Sequence, residues 1–194
     1  MPSKQPSATI ELQKQLDLAH SKLRTSELLL SLSQRIAGLK NLSEILWTII
    51  ETTTETLKAD RGSLFLNDPL TGELYSRVAQ GELVREIRIL NTTGIAGSIF
   101  QSGVGEIIHD AYADERFNSK IDEQTGYVTK NIVCAPVRTV RGDLIGVIQI
   151  LNKKRGRFTK DDLDIVQGIT LQAAVSLQNA QGMEEMVKSR EKEM

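Results

Sequence analysis

The sequence predicts an α+β fold, an antiparallel sheet with helices on one face and a long helix at each end. Two observations carry this. The hydrophobic period is helical up to about Leu57, strand-like from Arg61 to Leu151, and helical again after Phe158. Turn signals at Pro69 with Gly72, at Gly81 and at Val140-Arg141-Gly142 cut the middle part into short runs. The resulting order is helix, three strands, a helical loop, two or three strands, helix.

The N-terminal residues 1–9 are rich in Pro and Ser and are expected to be frayed. Leu12, Leu16, Ala19, Leu23, Ser26, Leu30, Ser33 and Ala37 then recur at alternating spacings of four and three, a heptad seam weakened by its serines. A two-stranded coiled coil is expected from this narrow stripe, and a helix packing on its own domain is the alternative. Gly38 ends the helix. Asn41 or Ser43 caps the next, whose buried face is Leu42, Ile45, Leu46, Ile49 and Ile50, with Trp47 nearby.

The run RGSLFLND reads as a strand, DPLTGE as a hairpin turn and ELYSRVAQ as the return strand. VREIRIL alternates as a third strand, from Val84 to Leu90. GIAGSIFQSG opens a short helix at Gly94 that ends at Gly103. The unpaired N–H groups of such a first turn, aided by the helix dipole, can hold a phosphate, although a glycine-rich turn into a helix is usually structural. EIIHDA is a short strand. A long polar loop then carries Asn118, Asp122, Thr125, Tyr127 and Thr129, hydroxyls and amides suited to ribose, phosphate and base edges. NIVCAPVRT and DLIGVIQILNK make the last hairpin. Thr159 with Asp162 resembles a capping box for the closing helix, whose apolar face runs from Leu163 through Leu177 and on to Val187. That helix has no stop signal, so the chain is expected to continue into a larger protein. The expected organisation is a frayed start and coiled linker over 1–40, a domain over 41–180 and a linker helix over 181–194.

Length and composition bound the function. The 194 residues suit one domain with extensions, and the net charge of −1 offers no field for nucleic acid or an anionic membrane. Aromatics at 4% are too few for base-stacking platforms. The N-terminus has no signal-peptide core and no segment has the ~18 apolar residues of a membrane span, so a cytoplasmic location is expected. The single cysteine, Cys134, lies in an apolar run and reads as a buried, inert thiol in a reducing compartment. Covalent bilin attachment is disfavoured, because Ala135 and Pro136 follow where a histidine is expected. His109-Asp110 has no partner at metal-ligand spacing, the pairs Asp114-Glu115 and Asp122-Glu123 have no evident partner, and no catalytic motif is present. No enzyme activity, metal or resident cofactor is expected of this chain.

Four strings in order, GIAG, DAYADERFN, TGYVTKNI and Asn152-Lys153 followed by Phe158 and Asp162, resemble the cyclic-nucleotide-binding GAF domains with the NKFDE signature, such as those of cyanobacterial adenylyl cyclases and cyclic-nucleotide phosphodiesterases. Leu163 stands where that signature ends in Glu. The resemblance covers roughly Asn41 to Gln178. It implies a six-stranded antiparallel sheet holding a ligand under loops and short helices. Ile95 and Ala96 would offer backbone contacts to the cyclic phosphate. Asn118, Asp122, Thr125 and Thr129 would line the ribose and base pocket. Ser63 and Gln149 would reach in from the sheet, with Ala79 and Gln80 at a strand end. Gln80 and Gln149 replace acidic residues, which favours cAMP over cGMP.

Lys153 and Asp162 would latch sheet to helix over Phe158. The implied module is a homodimer through its terminal helices, covalently linked to an output domain such as a cyclase or kinase. A ligand-free dimerising spacer is the alternative. An enzyme or redox sensor of the free-standing GAF type is disfavoured, because such proteins use several cysteines.

Overall fold

The chain runs α1 (Gln5–Ile36), α2 (Leu42–Leu57), β1 (Ala59–Asp68), β2 (Glu73–Ala79), β3 (Arg88–Leu90), α3 (Gly94–Ser102), β4 (Glu106–Ile108), α4 (Lys120–Thr125), β5 (Ile132–Arg138), β6 (Leu144–Lys153) and α5 (Lys160–Lys192). This computed structural model describes residues 5–39, 41–81 and 86–192, with side chains described over 8–39, 41–81 and 86–180. Residues 1–4 of the expected frayed start, and Val84 and Arg85 of the expected third strand, lie outside that range. So do the side chains of Met183, Met186 and Val187. Helix α1 begins at Gln5, with Pro6 in its first turn, where a missing N–H costs nothing.

The six strands form one sheet in the order β3-β2-β1-β6-β5-β4, antiparallel throughout. Alternation along the strands separates two cores. Gly62, Leu64, Ile148, Ile150, Val133 and Ala135 turn to α2, α5 and the end of α1, where Leu32, Leu46, Ile49, Ile50, Phe158, Val166 and Ile169 complete the larger cluster. Phe65, Val147, Cys134 and Ile132 turn to the opposite face, which α3 covers through Ile95, Ile99 and Phe100. The long helices thus occupy one face, and the two short helices with their loops roof the other.

Local signals set the boundaries. Asn41 accepts the Ser43 N–H at 2.8 Å and caps α2, whose end is turned by Lys58 in the left-handed region. Thr159 and Asp162 form the reciprocal capping box of α5, Thr159 N–H to Asp162 Oδ2 at 2.8 Å and Asp162 N–H to Thr159 Oγ1 at 3.3 Å. Gly146 is required where β6 passes β1, because a Cβ there would overlap the Phe65 carbonyl oxygen.

Helix α1 carries two stripes. Leu28, Leu29, Leu32 and Ile36 pack on the domain, and Leu32 is fully buried. The heptad leucines point away, Leu12 being 67% exposed, Leu23 55% and Leu30 62%, whereas Ser33 near the end of the seam donates to Gln172 on α5. Arg35 ties α1 to α2 by donating to Thr52 Oγ1 at 2.7 Å and lying 3.7 Å from both Glu51 and Glu55.

Candidate functional site

Antiparallel register brings distant residues into one row. Ser63 on β1 lies opposite Ala79 on β2 and Gln149 on β6, and Gln149 lies opposite Cys134 on β5. One step along, Arg61 lies opposite Leu151, which faces Ile132. Over these rows sit the first turn of α3 and the segment 117–129. Between roof and sheet is a cavity of about 140 Å³. Its wall includes Ser63, Ala79, Gln80, Ile95, Ala96, Asn118, Asp122, Thr125, Thr129 and Gln149, so every ligand residue expected from the sequence faces one space. Phe65, Ile87, Ile89, Phe117 and Ile121 add apolar surface.

The polar groups differ in what they still offer. Helix α3 starts after Thr93, whose side chain makes no cap bond and donates instead to the Leu90 carbonyl. The N–H groups of its first turn therefore have no side-chain acceptor, at the positive end of a helix dipole. Asp122 is buried and its carboxylate is committed to the roof. It accepts the Tyr112 hydroxyl at 3.0 Å, the Thr129 N–H at 2.6 Å and the Thr129 hydroxyl at 2.9 Å. Thr125 donates to the Ile121 carbonyl and accepts the Tyr127 N–H, and Asn118 accepts the Lys120 N–H. The Ser63 hydroxyl makes no hydrogen bond among the described residues.

Gln80 is held in one orientation. Its Oε1 accepts the Gly62 N–H at 2.8 Å, and a donor at that position requires an oxygen. The amide NH2 remains and can only donate.

Two wall residues escaped the sequence reading of ligand contacts. Arg61 precedes Ser63 by two positions on β1, so alternation alone places both on the cavity face. Its guanidinium stacks 3.9 Å from the ring centre of Tyr127, and it makes no ion pair among the described residues. Tyr127 stood among the polar loop residues suited to ligand recognition but outside the contacts that the family resemblance implies.

Three of the four carboxylates left without a partner in sequence, Asp114, Asp122 and Glu123, have partners in space. Asp114 takes a bidentate contact from Arg116, Nε to Oδ1 at 3.0 Å and an amino group to Oδ2 at 2.8 Å. Arg116 reaches on to Glu106 at 2.9 Å and to the Ser98 hydroxyl at 3.0 Å, pinning the roof to β4 and α3. The guanidinium holds the Asp114 carboxyl below its ordinary value, and both acids push the Arg116 value up. Such a network fixes a loop by several fork-shaped, charge-assisted bonds.

At the far end of the roof, Asn152 adopts a left-handed backbone with φ 56. Its Oδ1 accepts the Lys130 N–H at 2.6 Å, and its amide donates to the Val128 carbonyl at 2.7 Å. The next residue, Lys153, donates to Asp162 Oδ2 at 2.6 Å over the buried Phe158 ring. Leu163 packs near Gly105, where a Cβ would come within 3.0 Å of its methyl group. An apolar contact therefore occupies the place of the signature's Glu, and the Lys–Asp pair is intact without it.

Cys134 is fully buried, and burial pushes its thiol up. Among the described residues no three His, Cys, Asp or Glu side chains are grouped to hold a metal, and no helix is long and apolar enough to cross a membrane.

The GAF domain model matches residues 41–177. The chain belongs to the GAF domain family. It is 33% identical over 164 residues to a probable 3',5'-cyclic phosphodiesterase pde-5 of Caenorhabditis elegans, covering 78% of this chain and 22% of that protein. It is 36% identical over 176 residues to the dual 3',5'-cyclic-AMP and -GMP phosphodiesterase 11 of Drosophila melanogaster, covering 82% of this chain and 12% of that protein. The GAF domain thus spans about a fifth or less of the length of these relatives. Among solved structures, the GAF domain of a phosphoenolpyruvate-protein phosphotransferase from Coxiella burnetii superposes with a TM-score of 0.75 at 19% identity, covering 84% of this chain and 98% of that chain. A free methionine-R-sulfoxide reductase from Neisseria meningitidis has the same fold, with a TM-score of 0.65 at 18% identity, covering 80% of this chain and 91% of that chain. The chain is a GAF domain similar to regions of cyclic-nucleotide phosphodiesterases.

Proposed function

We propose that this GAF domain binds a 3',5'-cyclic nucleotide in the cavity between roof and sheet and passes its occupancy to a linked output domain through dimeric terminal helices. The carrying observation is the pairing of an open helix N-terminus with a donor-lined wall in one cavity. The first turn of α3 suits the cyclic phosphate. Ser63, Gln149 and the roof hydroxyls suit ribose and base. In this reading the protein works in the cytoplasm.

The base edge favours cAMP over cGMP. Near it stand the Arg61 guanidinium and the Gln80 amide NH2, both donors, while the Asp122 carboxylate is consumed within the roof. Guanine carries N1–H and N2–H2 donors on its Watson–Crick edge, which a donor-rich wall leaves unmatched; its O6 and N7 accept from an Arg as adenine's ring nitrogens do, so the preference rests on guanine's unmatched donors and not on Arg61. A cGMP-specific 3',5'-cyclic phosphodiesterase of Drosophila virilis, 34% identical over 182 residues that cover 86% of this chain and 20% of that protein, pulls the other way, and Gln80 is where the two expectations divide.

Signalling follows from the roof's anchors. Asn152 holds the 128–131 segment and Lys153 holds the start of α5, so ligand that settles the roof acts on α5 through adjacent residues. A ligand shifts that balance only by binding one state better than the other. The exposed leucines of α1 offer a surface for a partner helix.

Calorimetric titration of nucleotide-stripped protein with cAMP and with cGMP tests this. Micromolar or tighter binding, with cAMP preferred, supports it. No heat and no change in melting temperature with either nucleotide favours a ligand-free dimerising spacer. The satisfaction of Asp122 by Thr129, and of the Thr125 hydroxyl by the Ile121 carbonyl, without any ligand is the observation on that side.

A further inference from the structure

Tyr127 grips the sheet from the roof. Gly126, in the left-handed region at φ 69, turns the chain off the end of α4 and sends Tyr127 back toward β1. Its hydroxyl donates to Asp60 Oδ2 at 2.8 Å, and its ring lies under the Arg61 guanidinium at 3.9 Å. Asp60 and Arg61 are consecutive on β1, so their side chains leave opposite faces of the strand. Arg61 and Tyr127 line the cavity, whereas Asp60 lines a separate crevice with Lys58, Lys154 and Arg155. One tyrosine thus holds the strand on both sides. The guanidinium is confined from behind as well, because a Cβ at Gly81 would come within 2.7 Å of it. Burial and the Asp60 carboxylate both push the Tyr127 hydroxyl up, so it remains a donor at physiological pH.

These contacts are 66 residues or more apart in sequence and join elements with no backbone pairing between them. The roof's other anchors, Arg116 at its start and Asn152 at its end, leave the stretch around α4 tied to β1 only through Tyr127 among the side-chain hydrogen bonds of the described residues. That stretch closes over Arg61, Ser63 and Gln80.

We propose that Tyr127 is the clasp of this roof and, with Asp60 and Arg61, sets how long a cyclic nucleotide stays in the cavity. The proposal rests on the ligand reading above for its kinetic part only. A ligand leaves when the α4 segment lifts, and lifting requires the hydroxyl to leave Asp60 and the ring to leave Arg61. Stacking on Tyr127 occupies one face of the guanidinium and leaves its N–H edge to the ligand, so closure and ligand contact assist each other.

Two measurements on the full chain test this. Amide hydrogen exchange over residues 118–130 is compared, without ligand, in the native chain, Tyr127→Phe and Asp60→Ala. Exchange about fivefold faster in both variants is expected, the value of ~1 kcal/mol for a hydrogen bond at a partly open edge. Dissociation of a fluorescent cAMP analogue is then timed by stopped flow. Release about fivefold faster in each variant is expected, with no further gain in the double variant, because both remove one bond. Unchanged exchange overturns the clasp whether or not any nucleotide binds. Faster exchange with unchanged release overturns the kinetic role. Faster exchange in a chain that binds neither nucleotide keeps the clasp and removes the ligand reading. Tyr127→Phe keeps the ring and its packing, so a folding defect confined to Asp60→Ala leaves the test intact.

Discussion

Asn152 and Lys153 are neighbours in the chain and hold different elements. The first takes the Lys130 N–H at 2.6 Å from the roof, and the second gives a proton bond to Asp162 at 2.6 Å on α5. The Lys153 and Asp162 side chains are 18% and 11% exposed, so neither charge is fully solvated. Removing one leaves the other stranded in a partly apolar site. Lys153→Ala is expected to cost about 3 kcal/mol, the low end for a buried pair, or roughly 6–12 °C in melting temperature. Asp162→Ala also removes the cap acceptor of Thr159 and costs about 1 kcal/mol more. Equal losses in a thermal melt would refute this division of labour.

Gln80→Glu keeps an acceptor for the Gly62 N–H and replaces the amide donor by an acceptor. The ratio of cAMP to cGMP affinity is expected to fall about tenfold or more, measured by titration with both nucleotides. An unchanged ratio would mean that Gln80 does not read the base.

The bond between Asp114 and Arg116 has a defined pH signature. The folded carboxyl lies below its ordinary value of 3.8 because of the guanidinium. Its stabilisation is therefore complete above that ordinary value and is lost as pH falls through the lowered one. The stability gap between the native chain and Arg116→Met should be full at neutral pH and close only below pH 3.8. Denaturant melts across the acid range check it, and a gap that closes already near neutrality would contradict it.

Cys134 is expected to resist thiol reagents in the folded chain at mildly alkaline pH, because burial keeps it protonated and shielded. Full labelling should appear only on unfolding. Rapid labelling of native protein would reopen the redox reading.

The outward seam of α1 predicts dimerisation. Leu23→Glu with Leu30→Glu should convert a dimer to a monomer in sedimentation equilibrium while leaving nucleotide affinity for the domain in place, since neither residue touches the cavity. A native chain that sediments as a monomer would count against the seam.

Much of the fold was legible because strand alternation and turn chemistry are local. The hairpin at Pro69 and Gly72, the capping box at Thr159 and the cap at Asn41 all lie within four residues of their partners. The candidate cavity residues were reached by family resemblance, not by spacing. What could not be read is how they spend their hydrogen bonds. Asp122 is drawn into the roof by Tyr112 and Thr129, and Gln80 is turned by Gly62, through contacts that no periodicity encodes. Arg61 was readable from its two-residue step to Ser63, but a charged residue at a strand start looks like an ordinary surface position. The inner stripe of α1 was hidden because Leu28, Leu29 and Leu32 interleave with the heptad leucines, and a pattern of two stripes resembles one broad one.

The two stripes of α1 also limit the motions open to it. Each residue advances about 100° around a helix, so turning α1 by the angle between its stripes would pull Leu32 from a fully buried site into water, at a cost of about 1.5–3 kcal/mol before Leu28, Leu29 and Ile36 are counted. The helix is a spoke set in a hub, not an axle. In a dimer through this helix, tilt or sliding of the spoke, carried with the whole domain, would reach the partner copy more readily than a gear-like spin about its own axis.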